Sequence, residues 1–298
     1  MTKNTITSHT GKTQKSTNRE RSFLEMHPLP APEGFEDATG TLLFRMTNNA
    51  MFHIVFEACP EALKALIGAL LRLSPEEIIS VEVKNPITYD LSAYSKNFIL
   101  DLKILLNGNF VLNIEMQVGN LNFWKERSLG YLCRAFDNLN RGDEYLKTKS
   151  AIHVGILDFH LDSDNQEFYS DYYMINERTQ KKYSDKLRLS VLHLNQVENA
   201  TEEDKAWHLD LWARFFKART WEEVFMVAKK DFNIKNAALT FYRASADEYV
   251  RNFCEGVEEG ERTLRTLQLE LQQSKDELHQ KDEALLQKDN EIARLLAR

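Results

Sequence analysis

Asp101 and Glu115 each stand inside a short run of β-forming residues, in the stretch FILDLKILLNGNFVLNIEMQ that runs from Phe98 to Gln117. An acid among Ile, Leu and Val is costly to bury unless it is paired, hydrogen-bonded or bound to a metal. Two such acids facing one cleft would suit a divalent cation. Strand side chains alternate with period two, so Ile99, Asp101, Lys103 and Leu105 share one side of the first run, and Asn113, Glu115 and Gln117 share one side of the second. Asn107-Gly108-Asn109 between them tolerates positive φ, which predicts an antiparallel hairpin. Asp101, Glu115 and a backbone carbonyl near Met116 make an oxygen-rich ligand set that fits Mg²⁺ or Mn²⁺. With no histidine or cysteine expected in the cluster, zinc is disfavoured. Such an ion neutralises a phosphate and lowers the pKa of an attacking water, which is the chemistry of phosphodiester hydrolysis.

Positioning these acids requires a sheet with helices against it. From about Arg45 to Leu73, Phe52, Val55, Phe56, Leu63, Leu66, Ile67 and Leu70 recur at helical spacing. Pro60 interrupts them, leaving open two consecutive helices or one kinked helix. Ile78 to Lys84 reads as a short strand, Phe123 to Asn140 as a helix with Arg127 and Tyr131 four apart on one face, and Ala151 to Phe159 as a buried strand. Tyr169 to Ile175 and Leu187 to Leu194 extend the sheet. The order helix, three strands, helix, strand predicts an α/β fold around a mixed sheet.

The matching motifs are TNNAMF at 47–52, ILDLKILLN at 99–107, NIEMQV at 113–118, the Arg127/Tyr131 helix, AIHVGILDF at 151–159, YSDKLRLSVLHL at 183–194 and ATEEDKAWHLDLWARFFKA at 200–218. In this order they resemble the Rpn family of recombination-promoting nucleases, also called PD-(D/E)xK family transposases, over roughly residues 41 to 255. The resemblance implies a restriction-endonuclease-like sheet, a metal-dependent DNA endonuclease linked to recombination or mobile elements, and DNA as partner. It implies Asp101 and Glu115 as metal ligands and catalytic acids. Gln117 stands where the wider superfamily usually has Lys; an amide carries no positive charge but can hydrogen-bond the nucleophilic water, and Glu-x-Gln is the form that Rpn-like sequences resemble. Lys103, two residues after Asp101 on the same face, would supply the missing cation. Arg127 would clamp a phosphate through two parallel hydrogen bonds, and Tyr131 would orient it; a packing tyrosine and a surface ion pair are the alternatives. Asn49 stands where related sequences have Asp, at a position expected to face metal or DNA, with Glu57 and Glu61 downstream as possible substitutes. The alternative function is a catalytically weakened DNA- or protein-binding protein on a nuclease fold.

The remaining composition bounds these readings. With 43% apolar residues, 17 Phe, 10 Tyr and 4 Trp, the chain can bury a sizeable core. Its net charge of −7 argues against a surface that grips nucleic acid everywhere, yet Lys125, Arg127, Arg134, Arg141, Lys147 and Lys149 form a local excess of cations beside the acids. No apolar run is long enough to span a bilayer and no signal-peptide core is present, so a cytoplasmic location is expected. Cys59, Cys133 and Cys254 are expected to be reduced and packed. Residues 1–40 read as a mobile tail, basic through Lys3, Lys12, Lys15, Arg19 and Arg21, followed by a nuclease-like domain at 41–198 and a helical annex at 199–258. Within 259–298, Leu264, Leu271, Leu278, Leu285 and Ile292 recur every seven residues. The second seam row is Leu267, Ser274, Lys281, Lys288 and Leu295, apolar only at its ends, which predicts a coiled-coil helix of about 50 Å that associates with another copy.

Overall fold

The computed structural model describes residues 22–31, 33–85, 101–119, 123–161, 164 and 166–296. Ile99 and the basic positions Lys3 to Arg21 lie outside the described residues. Six strands form one mixed sheet in the order β1-β2-β3-β4-β6-β5: β1 (Val81–Val83), β2 (Leu102–Leu106), β3 (Phe110–Gln117), β4 (Ser150–Leu157), β5 (Tyr169–Tyr172) and β6 (Leu187–His193). Pairing is parallel between β3 and β4 and between β4 and β6, and antiparallel elsewhere. The hairpin turns at Asn107 (φ 50°) and Gly108 (φ 69°), as its residues predict. Asn107 also braces the turn, since its Oδ1 accepts from Ile79 and Ser80 N–H at 2.8 and 3.1 Å.

Period two divides the sheet into two unlike faces. On one, Leu102, Ile104, Leu106, Leu112, Ile114, Met116, Ile152, Val154 and Ile156 enter the main core, where each full burial is worth about 2 kcal/mol. Helices α2 (Asn49–Ala58) and α3 (Pro60–Leu71) cover this face. Pro60 occupies the first turn of α3, where its missing N–H costs nothing, so there are two helices and not one kinked helix. The other face carries the acids and is covered by α4 (Trp124–Phe136), whose Trp124 packs with Leu157, Phe159 and Val191.

Beyond the sheet, α5 (Glu202–Ala206), α6 (Leu209–Lys217), α7 (Trp221–Ala228) and α8 (Phe232–Ala246) form a helical annex. Thr201 and Asp204 close a capping box at the start of α5. The annex shares the main core: Phe216 meets Phe52 and Phe56 edge-on at ring distances of 5.7 and 6.1 Å. Part of the segment read as tail also belongs to this core. A helical turn, α1 (Phe23–Met26), precedes buried Leu29 and Phe35, and Arg243 Nη2 and Nε donate to the Leu29 and Pro30 carbonyls at 2.8 and 2.5 Å. The polar composition of 1–40 concealed these two apolar anchors.

A helix is expected from Asn233 to Cys254, but the chain breaks it at Asp247. There the backbone is extended (φ −79°, ψ 129°) and the side chain accepts from Val250 N–H at 3.0 Å, starting a new helix. That helix, α9 (Glu248–Leu296), is 49 residues long, which corresponds to about 74 Å. Its first turns are anchored by buried Val250, Phe253 and Cys254, whereas Leu264, Leu271, Leu278, Leu285 and Ile292 are each more than half exposed. Cys59 and Cys254 are free and buried as expected, but free Cys133 lies exposed on α4. Among the described residues, no helix is long and apolar enough to cross a membrane.

Candidate active site

Asp101 stands one residue before β2, and a side chain fixes its backbone. Asn85 Nδ2 donates to the Asp101 carbonyl at 2.6 Å, while Lys103 N–H donates to Asn85 Oδ1 at 2.8 Å. Across the hairpin, Lys103 pairs with Asn113, and Asn113 pairs with His153 of β4 in parallel register. Glu115 and Gln117 follow Asn113 on the same face, opposite Gly155 and Leu157. The expected residues Asp101, Lys103, Glu115 and Gln117 therefore share one face of the sheet, and α4 brings Arg127 and Tyr131 over it.

Arg127 Nη2 donates to both Glu115 Oε1 and Gln117 Oε1. Gln117 turns its amide nitrogen outward, donating to the Gly119 carbonyl at 2.9 Å, so its oxygen is the atom that faces the acids. Glu115 is only 3% exposed. Burial first, and then the charge of Glu115, push the Asp101 carboxyl up to about 7, while the Asn113 amide, Arg127 and Lys103 act against that rise. Burial, followed by the charges of Asp101 and Glu115, likewise raises the Tyr131 hydroxyl pKa.

The structure adds a residue that the sequence reading did not place here. His153 is fully buried, with Nδ1 3.0 Å from Asn113 Nδ2 and Nε2 3.5 Å from Glu115 Oε2. Asn113 Nδ2 also reaches Asp101 Oδ2 at 3.5 Å, so it is the donor and His153 Nδ1 accepts, while Nε2 lies near Glu115 Oε2 with no hydrogen bond between them. The expectation of a cluster without histidine is thus corrected. In this tautomer His153 Nε2 carries the proton beside Glu115, so His153 is not itself a ligand. The signal was present in the sequence: within AIHVGILDF, the period-two set Ala151, His153, Gly155 and Leu157 puts a polar ring on one face of a buried strand.

Asn49 does not join the acids. It opens α2, and its Nδ2 donates to Glu261 Oε1 on α9 at 2.8 Å, beside the bond from Asn48 Nδ2 to Glu258 Oε1 at 3.1 Å. Glu57 faces His53 at 3.6 Å, and Glu61 is exposed on α3, so neither supplies a carboxylate to the hairpin.

The donor set bears on a metal. Among the described residues, no group of three or more His, Cys, Asp or Glu side chains is arranged to hold one. Two carboxylates and an amide oxygen nevertheless suit Mg²⁺, which keeps several of its waters and needs only one or two protein carboxylates. The like-charged pair would also be relieved by a cation, since Glu115 raises the Asp101 pKa. The residues fit such an ion.

No curated protein and no solved structure matches this chain. The family model of the PD-(D/E)XK nuclease family transposases matches residues 51–281, running through the sheet, the annex and about the first two thirds of α9. That span is well over half of the 298 residues, and Asp101 just before β2 faces Glu115-Met116-Gln117 on the adjacent β3: the chain belongs to the PD-(D/E)XK nuclease family transposases.

Proposed function

We propose that this protein is a metal-dependent endonuclease that hydrolyses phosphodiester bonds in DNA, acting in the cytoplasm on recombination or mobile-element intermediates. The observation that carries this reading is the placement of half-buried Asp101 and buried Glu115 on one sheet face, where burial and then the charge of Glu115 raise the Asp101 carboxyl. A buried like-charged pair is a standing cost to a fold and a ready seat for a cation. Asp101 and Glu115 would hold Mg²⁺ or Mn²⁺, with the Gln117 amide oxygen and the Met116 carbonyl beside them. When bound, the ion neutralises phosphate charge and lowers the pKa of the attacking water.

The chain's own residues do the rest. Gln117 accepts a hydrogen bond from that water and so aims it. Lys103, exposed at the edge of the site, supplies the positive charge that an amide at 117 lacks. Arg127 exchanges its bond to Glu115 for a phosphate oxygen, where its planar donors give directional contact. Tyr131 keeps its proton, because its pKa is raised, and donates to the same phosphate. His153 packs behind Glu115, with Nε2 3.5 Å from Oε2.

Supercoiled plasmid tests the reading. Purified protein should nick or linearise it with Mg²⁺ or Mn²⁺ and not in EDTA, and Asp101→Ala should be inactive while folding normally. Metal-independent cutting, or cutting that survives Asp101→Ala, would overturn it. Metal binding should also follow the Asp101 proton. Because that carboxyl titrates at about 7, Mn²⁺ affinity measured by calorimetry should fall about tenfold per pH unit below pH 7 and level off above it. A flat profile from pH 5.5 to 8 would show that the ion does not displace a proton from a raised Asp101 carboxyl.

The same proposal extends to assembly. The row Leu264, Leu271, Leu278, Leu285 and Ile292 points away from the body and repeats with the period of a coiled-coil seam, so we assign its partner as a second copy of α9. Sedimentation should report an oligomer that Leu271→Glu with Leu278→Glu reduces to the monomer mass, with the unfolding temperature of the body unchanged. A wild-type monomer at tens of micromolar would refute it.

A further inference from the structure

We propose that the cavity beside Asp101 is a pocket for a single unpaired nucleobase, so that the enzyme prefers DNA in which one nucleotide next to the scissile phosphate can leave the stack. This rests on the nuclease reading above and adds a substrate class to it. The cavity holds about 250 Å³ between the β2–β3 hairpin and the second half of α4, and Asp101 forms part of its wall. That is below the roughly 300 Å³ at which pockets for drug-sized ligands begin. It suits one base and not a segment of duplex.

Three features of the lining fit a base. Val111 and Ala135 give apolar walls, and Tyr131 offers an aromatic face with the Arg134 guanidinium 5.6 Å from its ring centre. Bases stack on such rings and guanidinium planes whatever their identity. At the polar end, Asn113 is 5% exposed, its Nδ2 is engaged with His153 and Asp101, and its Oδ1 has no hydrogen-bond partner among the described residues. An orphaned buried acceptor is costly. The amino or ring N–H on the edge of an inserted base would satisfy it.

The location links this pocket to the chemistry. A base held against Tyr131 and Asn113 has its own phosphodiester within reach of Asp101, and Lys103 and Arg134 at the wall would meet the backbone charge. Extruding a base from intact duplex costs a few kcal/mol, and less at a mismatch, bulge or single strand. The pocket thus converts base extrusion into substrate choice.

The test fills the pocket without touching the acids. Ala135 lies on α4, where leucine is a good helix former, so Ala135→Leu should fold normally while its side chain occupies the base site. A duplex with a one-nucleotide bulge should be cut about tenfold faster than its fully paired counterpart by the wild type. Ala135→Leu should bring that ratio to about one without slowing the paired duplex. Equal rates in the wild type, or a ratio that survives Ala135→Leu, would overturn the pocket. If neither duplex is cut with any metal, the nuclease reading fails, and anisotropy binding of the same two duplexes in Ca²⁺ decides the pocket by itself. A bulge preference lost in Ala135→Leu would uphold it, and equal affinities would end it.

Discussion

Glu115→Gln is expected to lower metal-dependent DNA cleavage by about a thousandfold while the protein stays folded. Glutamine has the shape of glutamate, can still accept from Arg127 and meet His153 Nε2–H, and loses only the charge. Its effect on stability should therefore be small, and its effect on a cation seated between two carboxylates large. Single-turnover cleavage of a labelled duplex, beside urea unfolding of both proteins, would measure the two together. Activity within tenfold of wild type would remove Glu115 from the catalytic set and leave it as the structural partner of Arg127.

The same substitution has a readout independent of cutting. In the metal-free protein Asp101 holds its proton up to about pH 7, well above the ordinary carboxylate value of 3.8. The folded state therefore binds more protons than the unfolded chain between those values, so stability falls as pH rises from about 4 through 7. Part of that slope is due to Glu115, the second cause of the shift after burial. Glu115→Gln should flatten it, whereas Arg127→Met, which removes a charge that lowers the Asp101 pKa, should steepen it. Opposite signs from two residues that touch each other would separate an electrostatic role from loss of packing.

Much of this site was legible in the sequence because strands encode faces by parity. Asp101, Lys103, Asn113, Glu115 and Gln117 needed only the period-two rule and a turn of Asn-Gly-Asn to be put side by side. Arg127 and Tyr131 followed from helical spacing and the ordered motifs. His153 was harder to place, because its strand, β4, lies next to β3 only through the parallel crossover over α4, and neighbours of that kind leave no local signal. Asn85 acts through its amide on the backbone of Asp101 and Lys103, which no pattern of side-chain types announces. Asn49 was read as a damaged site residue because it stands in a motif position, yet its bond to Glu261 depends on a helix that begins two hundred residues later. The break at Asp247 was readable in principle, as an acid that caps the helix following it.

Gly155→Ala is expected to destabilise the protein by about 3 kcal/mol, at the upper end of what overpacking a core usually costs. Gly155 lies opposite Glu115 in β4, and a Cβ built there would stand 2.2 Å from Trp124 Cζ2 and 2.9 Å from Cη2. The indole cannot step aside freely, since Trp124 is 2% exposed and packed with Leu157, Phe159 and Val191. Trp124 is also the first residue of α4, so a displaced ring tilts the helix that carries Arg127 and Tyr131 over the acids. Cleavage should fall with stability, although neither Gly155 nor Trp124 touches the reacting atoms. Thermal unfolding should report a loss of about 6–12 °C. Trp124→Leu removes the clashing atoms, so the double variant should be more stable than the sum of the two single losses predicts. Strict additivity would show that the ring and the glycine are not coupled, and would take away the reason for a glycine at this point of a buried strand.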